Sequence, residues 1–223
     1  MSTTILSYPA RGGSGGLEIT GRTVVTVLIA WLALVVLLGA SGHFVSPPRI
    51  PPWPIALGAG LPLVAFFALL RYSRAFRAFV LALDLRFVAA VQAWRWAGLE
   101  FLTLYTYGIL PGVFAWPAGL GDMIVGFSAP AVVLALARNP AFAGSRAFAR
   151  WNVFGILDLA VALCVGTLAS LRASGAPGEV TTAPMAYMPL VLIPAFLVPF
   201  FIMLHAAALL QGRQVRAGGG GAP

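Results

Sequence analysis

Six long apolar segments between residues 23 and 210 constrain this chain more than any other feature. They cover about residues 23–40, 53–70, 97–117, 118–137, 151–171 and 187–210. At 1.5 Å per residue, a helix of roughly 20 residues crosses the ~30 Å hydrocarbon core of a bilayer. The chain is 60% hydrophobic and only 9% charged, whereas soluble domains run near ~25% charged. The sequence therefore predicts an all-α membrane protein, a polytopic helical bundle with six transmembrane helices.

The flanking segments differ in composition from this apolar region. Residues 1–22 are polar and rich in Gly and Ser, so we expect a flexible cytoplasmic N-terminal tail. Residues 23–211 are expected to form a single transmembrane helical domain, whose first helix acts as an uncleaved anchor. Residues 212–223 end in a run of glycines and are expected to form a flexible cytoplasmic C-terminal tail.

Residues 74–96 could add a seventh span. The segment is apolar, but it holds four arginines, an aspartate and a glutamine. Its bulky apolar residues recur at helical spacing, from Phe76 to Trp94, and form one stripe. The pattern predicts an amphipathic helix at about 74–96, either on the membrane surface or as an extension of the following span.

The distribution of arginine favours six spans over seven. All 14 basic residues are arginine. With six spans and both termini in the cytoplasm, twelve arginines fall on the inner side and only Arg49 and Arg172 on the outer side. With seven spans, and with Arg86 inside the membrane, six arginines fall on the inner side and seven on the outer side. That distribution contradicts the positive-inside rule. We therefore expect an integral plasma (inner) membrane protein with both termini cytoplasmic.

The same orientation brings five polar residues into the cytoplasmic half of the bundle. They come from three spans and are Arg95, Glu100, Asp158, Asn152 and His205. A charge near the centre of a bilayer costs roughly 2.5–3.5 kcal/mol on insertion scales, so such residues usually face a protein interior. This convergence is the candidate functional site.

Asp158 and His205 are its central members. Asp158 shares a helix face with small residues such as Gly155 and Gly166, so it should point into the bundle. It could bind a proton or a cation, act in a catalytic pair, or simply pair with Arg95. His205 follows two prolines in the last span and could relay protons, because the pKa of an unperturbed imidazole is about 6.5. The alternative is a structural hydrogen bond at the interface.

Glu100 and Tyr107 share one face of the third span. Gly108 and Pro111 predict that this helix bends or breaks near its middle, as in helices that bind solutes in transporters. The two residues could therefore form the wall of a pocket, or merely pack around a kink.

Asp122 is set apart from this group. It follows Pro117, Gly119 and Gly121, which predict a tight outer turn between two spans. There an aspartate would cap the first helical turn. The alternative is an outer gate for cations.

Transport of a small solute or ion through a pocket in the cytoplasmic half is the leading functional hypothesis. In it Asp158 is the central acid, His205 its proton partner, and Arg95 a counter-ion. The alternatives are an accessory or assembly subunit of a membrane complex and an intramembrane enzyme acting on a lipid-borne substrate. We expect no enzymatic activity, although the sequence leaves it open.

The partners and cofactors expected from the sequence are few. The chain has one cysteine, Cys164, which excludes a cysteine-based metal site, and His43 falls in the outer loop, so haem ligation with His205 is not expected. No metal site is predicted, although a metal held by Asp158, Glu100 and His205 is one form of the enzyme alternative. No cofactor is predicted. The lipid bilayer is the main partner, with self-association or another membrane protein as further options. No nucleic-acid binding is expected, since the chain has no aromatic and basic surface module.

Overall fold

The computed structural model describes residues 12–219, and every regular element within them is helical. The α-helices are α1 (Gly12–Ala40), α2 (Trp53–Tyr72), α3 (Arg74–Leu81), α4 (Leu85–Val91), α5 (Leu99–Thr106), α6 (Gly112–Arg138), α7 (Arg146–Arg172) and α8 (Val198–Gly219). A 3₁₀ helix, Gln92–Gly98, joins α4 to α5, and a π-helical turn, Ile193–Leu197, leads into α8. The predicted all-α class is confirmed.

Five of these helical stretches are long and apolar enough to cross a membrane. They are Gly16–Ala40, Trp53–Tyr72, Gly112–Arg138, Arg146–Arg172 and Ile193–Gly218. Their outward surfaces carry many exposed large apolar side chains, as lipid-facing positions require. The protein is therefore a helical membrane bundle.

The third crossing lies elsewhere than predicted. The predicted span 97–117 contains a sharp turn, since α5 ends at Thr106 and α6 begins at Gly112. Gly108 has φ +67°, a left-handed conformation that glycine adopts without steric penalty. The crossing consists instead of residues 85–106, a continuous run of α4, the 3₁₀ helix and α5. At about 1.5 Å per α residue and 2.0 Å per 3₁₀ residue, this run is about 36 Å long.

Contacts with α6 show that residues 85–106 traverse the bundle. Near one end, Val88 packs with Val132 and Leu136 of α6. Near the other end, Phe101 packs with Phe114. The run is therefore antiparallel to α6 and gives the bundle six crossings, with both described termini at the same end.

The single amphipathic helix predicted at 74–96 is wrong in its extent. Helix α3 ends at Leu81, and a break at residues 82–84 separates it from α4. Two caps fix these boundaries, since Ser73 accepts a hydrogen bond from the Phe76 N–H and Asp84 from the Arg86 N–H. Helix α3 is thus a short separate helix, and residues 85–96 belong to the crossing.

Both ends of the chain within the described residues are helical. Helix α1 begins at Gly12 and α8 continues to Gly219, inside the segments predicted as flexible tails. Arg216 near the end of α8 donates to the carbonyl oxygens of Gly144 and Ser145, which anchors this helix to the α6–α7 connection. The remaining parts of the predicted tails, residues 1–11 and 220–223, lie outside the described residues.

Candidate functional site

Arg95 is fully buried near the middle of the bundle. It lies ten residues after the start of α4 and eleven before the end of α5, and the residue is 2% exposed. The 3₁₀ helix explains its direction, because residues three apart are eclipsed at 3.0 residues per turn. Gln92, Arg95 and Gly98 therefore share one face, and all three are buried. Trp94 and Trp96 point outwards.

Two aspartates bind the guanidinium group of Arg95. Its Nε donates to Asp122 Oδ1 over 2.6 Å, and its Nη2 donates to Asp158 Oδ2. The aspartate side chains are 15% and 8% exposed, respectively. Helices α6 and α7 thus each place one carboxylate on the same buried cation.

His205 and Asn152 complete the network on the opposite side of the guanidinium. Arg95 Nη1 lies 3.1 Å from His205 Nε2, and it also donates to the Gly155 carbonyl oxygen over 3.3 Å. A guanidinium group only donates, so His205 Nε2 must accept. The proton of the neutral ring then lies on Nδ1, which is 2.9 Å from Asn152 Oδ1. Asn152 in turn donates to the Phe148 carbonyl oxygen.

Glycines make the space for these buried polar side chains. A Cβ added at Gly121 would overlap the Asp158 carboxylate, and one at Gly155 would overlap the His205 ring. A Cβ at Gly126 would overlap the backbone of Trp96. One at Gly98 would lie 2.5 Å from the Cβ of Asp122. The small residues of α6 and α7 therefore allow the 3₁₀ helix and α8 to approach closely, which positions the charges.

The charges of this centre do not balance when all its acids are ionised. Arg95 supplies one positive charge, Asp122 and Asp158 supply two negative charges, and the hydrogen bonds of His205 require a neutral ring. A buried uncompensated charge is unfavourable, since its loss of hydration is not repaid. The centre therefore needs one further positive charge, from a proton or a cation.

A first cavity reaches Asp122 from one end of the bundle. Its volume is about 640 Å³, and it lies beneath the α1–α2 loop and the loop that follows α7. Phe44, Thr167 and Glu179 are among its lining residues. Glu179 is bound by the N–H groups of Ser174 and Gly175 and by the Ser174 hydroxyl. These donors hold the pKa of the Glu179 carboxyl below its ordinary value.

A second cavity reaches Asp122 from the side. Its volume is about 560 Å³, and it separates residues 91–101 from residues 189–201. Glu100 lines it and is exposed. Both cavities are lined by Phe101, Asp122, Leu159, Ile193 and Val198, whereas Asp158 lines neither. Asp122 is thus the one member of the carboxylate pair that faces both spaces.

The π-helical turn Ile193–Leu197 lies where the two cavities meet. Such turns frequently occur at functional sites, because the extra residue disturbs the regular hydrogen bonds of a helix. Pro194 and Pro199 lie in and beside this turn and lack the N–H group that a regular helix would use. One wall of the cavities is therefore irregular backbone, which membrane proteins tolerate where it lines an internal space.

Four of the predicted site residues come together, namely Arg95, Asp158, Asn152 and His205. Glu100 is about one turn from Arg95 but makes no hydrogen bond with the centre, and Tyr107 is 76% exposed in the α5–α6 turn. The position of these residues in the cytoplasmic half stays a prediction. Asp158 and His205 lie near the middle of the helical stretches Arg146–Arg172 and Ile193–Gly218.

The interpretation of Asp122 as a helix cap in an outer turn is wrong. Helix α6 begins at Gly112, ten residues earlier, and the glycines around Asp122 are sites of close helix packing rather than turn residues. Sequence analysis also missed Gln92, which is 1% exposed and lies one 3₁₀ turn from Arg95. Its amide donates to the Phe201 carbonyl oxygen, and its Oε1 has no partner among the described residues.

The fold and this centre define a class of protein: a helical membrane bundle with a buried arginine–aspartate network near the middle of its helices. Residues 52–211 match the family described as "Domain of unknown function (DUF8737)", and the chain belongs to that family. The matched region begins at α2 and ends in α8, so it contains every residue of the charged network. No curated protein and no solved structure matches the chain. Within residues 12–219, no group of three or more His, Cys, Asp or Glu side chains is arranged to hold a metal ion.

Proposed function

We propose that this protein transports a small solute across the membrane and couples its movement to a proton held at the Arg95–Asp122–Asp158 centre. The observation that carries the proposal is that one buried guanidinium group binds two carboxylates, of which Asp122 lines both cavities. The missing positive charge can be a proton in one state and a solute in another. A single carboxylate that binds either the proton or the solute is the simplest means of coupling the movement of the two.

In this proposal the two aspartates have different roles. Asp158 lines neither cavity, so it acts as the permanent counter-ion of Arg95. Asp122 exchanges the proton, because solute and water can reach it from the cavities. The role that the sequence suggested for Asp158 thus passes to Asp122.

His205 and Asn152 orient Arg95 in this proposal rather than carry the proton. The imidazole ring is 0% exposed, and both of its nitrogens are within hydrogen-bond distance of a partner. A proton added to Nε2 would face the N–H groups of Arg95. Like charges at that distance repel strongly in a low-dielectric interior.

We also propose an orientation in the inner membrane, with both termini cytoplasmic. With the crossings at their observed positions, ten arginines of the described residues lie at the inner end or beyond it, Arg49 and Arg172 lie at the outer end, and Arg95 is intramembrane. This asymmetry agrees with the positive-inside rule. The first cavity then opens towards the outside.

The test is proton movement in liposomes that contain the purified full-length protein and an internal pH-sensitive dye. Addition of a transported solute should change the internal pH, and Asp122→Asn should abolish that change. Glu18→Gln is a matched control, because it also removes one carboxylate but lies on the exposed surface of α1, paired with Arg22. Solute-dependent proton movement that persists in Asp122→Asn would refute the role of Asp122.

A further inference from the structure

We infer that the solute is an amphipathic monocation that reaches Asp122 laterally from the membrane through the second cavity. This inference rests on the proposed function and specifies the substrate class of the same centre. It depends on the position of the second cavity, on the charges that line it and on its apolar walls.

The second cavity lies between two neighbouring crossings. One wall is the side of the 3₁₀ helix and α5 that includes Trp94 and Ala97, and the other is residues 189–201. Trp94 and Ala97 are exposed on the flank of the bundle, which faces lipid in a membrane protein. The mouth of the second cavity therefore lies within the hydrocarbon region of the membrane. A molecule that enters there must have an apolar part.

The charged residues of this cavity favour a cation. Only Arg95, Glu100 and Asp122 carry charge among its lining residues. The guanidinium of Arg95 is already bound to two carboxylates, a carbonyl and His205, and its side chain is 0% exposed. The groups available to a ligand are therefore the carboxylates of Glu100, near the mouth, and Asp122, at the inner end. An anion would be repelled by both.

The charge balance of the centre favours a single positive charge. Arg95 neutralises one of the two aspartates, so one unit of positive charge restores neutrality. When a monocation binds at Asp122, its charge replaces that of the proton, and the proton leaves the carboxyl group for solvent. A dication would leave the centre with an excess positive charge.

The rest of the ligand is expected to be apolar. Phe101, Leu159, Ile193 and Val198 surround the junction of the two cavities beside Asp122. None of these side chains can donate or accept a hydrogen bond. A polar body would lose its hydration there without replacement, whereas an aromatic or aliphatic body gains by burial.

Two probes of equal shape and opposite charge test this inference. Tetraphenylphosphonium is a lipophilic monocation without an exchangeable proton, and tetraphenylborate is its anionic counterpart. Binding to the purified full-length protein in a non-ionic detergent is measured by equilibrium dialysis, together with proton release into a weakly buffered solution. We expect tetraphenylphosphonium to bind with release of about one proton, and tetraphenylborate to bind at least tenfold more weakly.

Variants separate the centre from the entrance. Asp122→Asn should weaken tetraphenylphosphonium binding at least tenfold, and Glu100→Gln, at an exposed position where folding is not at risk, should weaken it severalfold. Ala97→Trp should obstruct the second cavity and weaken binding, whereas Thr167→Trp, which lines only the first cavity, should not. Glu18→Gln should bind as the unchanged protein does.

The outcomes distinguish this inference from the proposed function. Equal binding of both probes, or full binding by the Asp122→Asn and Glu100→Gln variants, would overturn the inference. Absence of tetraphenylphosphonium binding would also overturn the inference. The proposed function would still stand in that case if a hydrophilic solute drove Asp122-dependent proton movement. Binding of the cation without proton release would support the ligand class but contradict proton coupling. Obstruction by Thr167→Trp and not by Ala97→Trp would refute lateral entry.

Discussion

Replacement of Arg95 by methionine should destabilise the bundle far more than replacement of either aspartate. Methionine keeps a similar length but removes the charge and all donors, which leaves Asp122 and Asp158 as two adjacent carboxylates without a cation. Removal of one partner from a buried ion pair costs about 3–5 kcal/mol, because the remaining charge is uncompensated. By contrast, Asp122→Asn leaves a neutral Arg95–Asp158 pair, and the amide oxygen can still accept from Arg95 Nε. That change should alter the free energy of unfolding by about 1 kcal/mol or less, the size of one ordinary hydrogen bond.

The measurement is SDS-induced unfolding in mixed micelles, followed by tryptophan fluorescence and by the loss of helical circular dichroism. The matched control is Arg86→Met, the same substitution on the same crossing. Arg86 pairs with Asp84 at the surface, where their side chains are 59% and 50% exposed. An exposed pair contributes at most about 1 kcal/mol. If Arg95→Met unfolds as Arg86→Met does, or if Asp122→Asn is as damaging as Arg95→Met, then the account of a charge imbalance around one essential cation is incorrect.

Three further predictions follow from the packing and hydrogen bonds. Gly126→Ala should destabilise the protein by about 1–3 kcal/mol in the same unfolding assay, since the added Cβ overlaps the backbone of Trp96. Gly60→Ala should not, because no atom lies within 4 Å of a Cβ added there. Asn152→Leu should cost about 1–3 kcal/mol, because it leaves the Nδ1–H group of His205 unpaired, and a stability equal to that of the unchanged protein would contradict a proton on Nδ1. The lowered pKa of Glu179 means that its carboxylate stabilises the loop after α7 above the pKa of the unfolded chain, near 4.5. This stabilisation should disappear as the pH falls through the lower, folded-state pKa. The protection factors of the loop amides, which are hydrogen-exchange rates corrected for the intrinsic effect of pH, should therefore fall in acid, and Glu179→Gln should show low protection at every pH.

Charge placement predicted the number of crossings better than hydropathy predicted their positions. The six-crossing bundle follows from the arginine distribution, but hydropathy placed the third crossing at 97–117, because residues 85–96 carry Arg86 and Arg95. In the structure Arg95 is neutralised by side chains of α6 and α7. A window of consecutive residues cannot include that tertiary compensation, so the sequence places the part of the crossing that carries Arg95 either on the membrane surface or in an extension of the following span.

The same limit explains the error at Asp122. Two clusters of glycine and proline flank the start of α6, one from Gly108 to Gly112 and one from Pro117 to Gly121. Both patterns are typical of turns, and only the first is one. The glycines of the second permit contact with the 3₁₀ helix and with Asp158. A glycine beside an acid in a long apolar segment is thus equally consistent with a turn and with a close helix crossing, and only tertiary structure decides between them.

The second aspartate is the strongest reason to assign the centre a function beyond stability. If Arg95 served only to join the crossings, one carboxylate would neutralise it, and His205 and the Gly155 carbonyl would complete its hydrogen bonds. A further buried carboxylate brings no charge balance and is costly to place inside a membrane bundle. Asparagine at position 122 could accept the same hydrogen bond from Arg95 Nε without the excess charge, so a purely structural centre does not require an acid there. Asp122 is instead the acid that meets both cavities, where its excess charge can be compensated by alternative cations. An excess negative charge at the junction of the two cavities favours a role in the exchange of protons and cations over a role in helix packing alone.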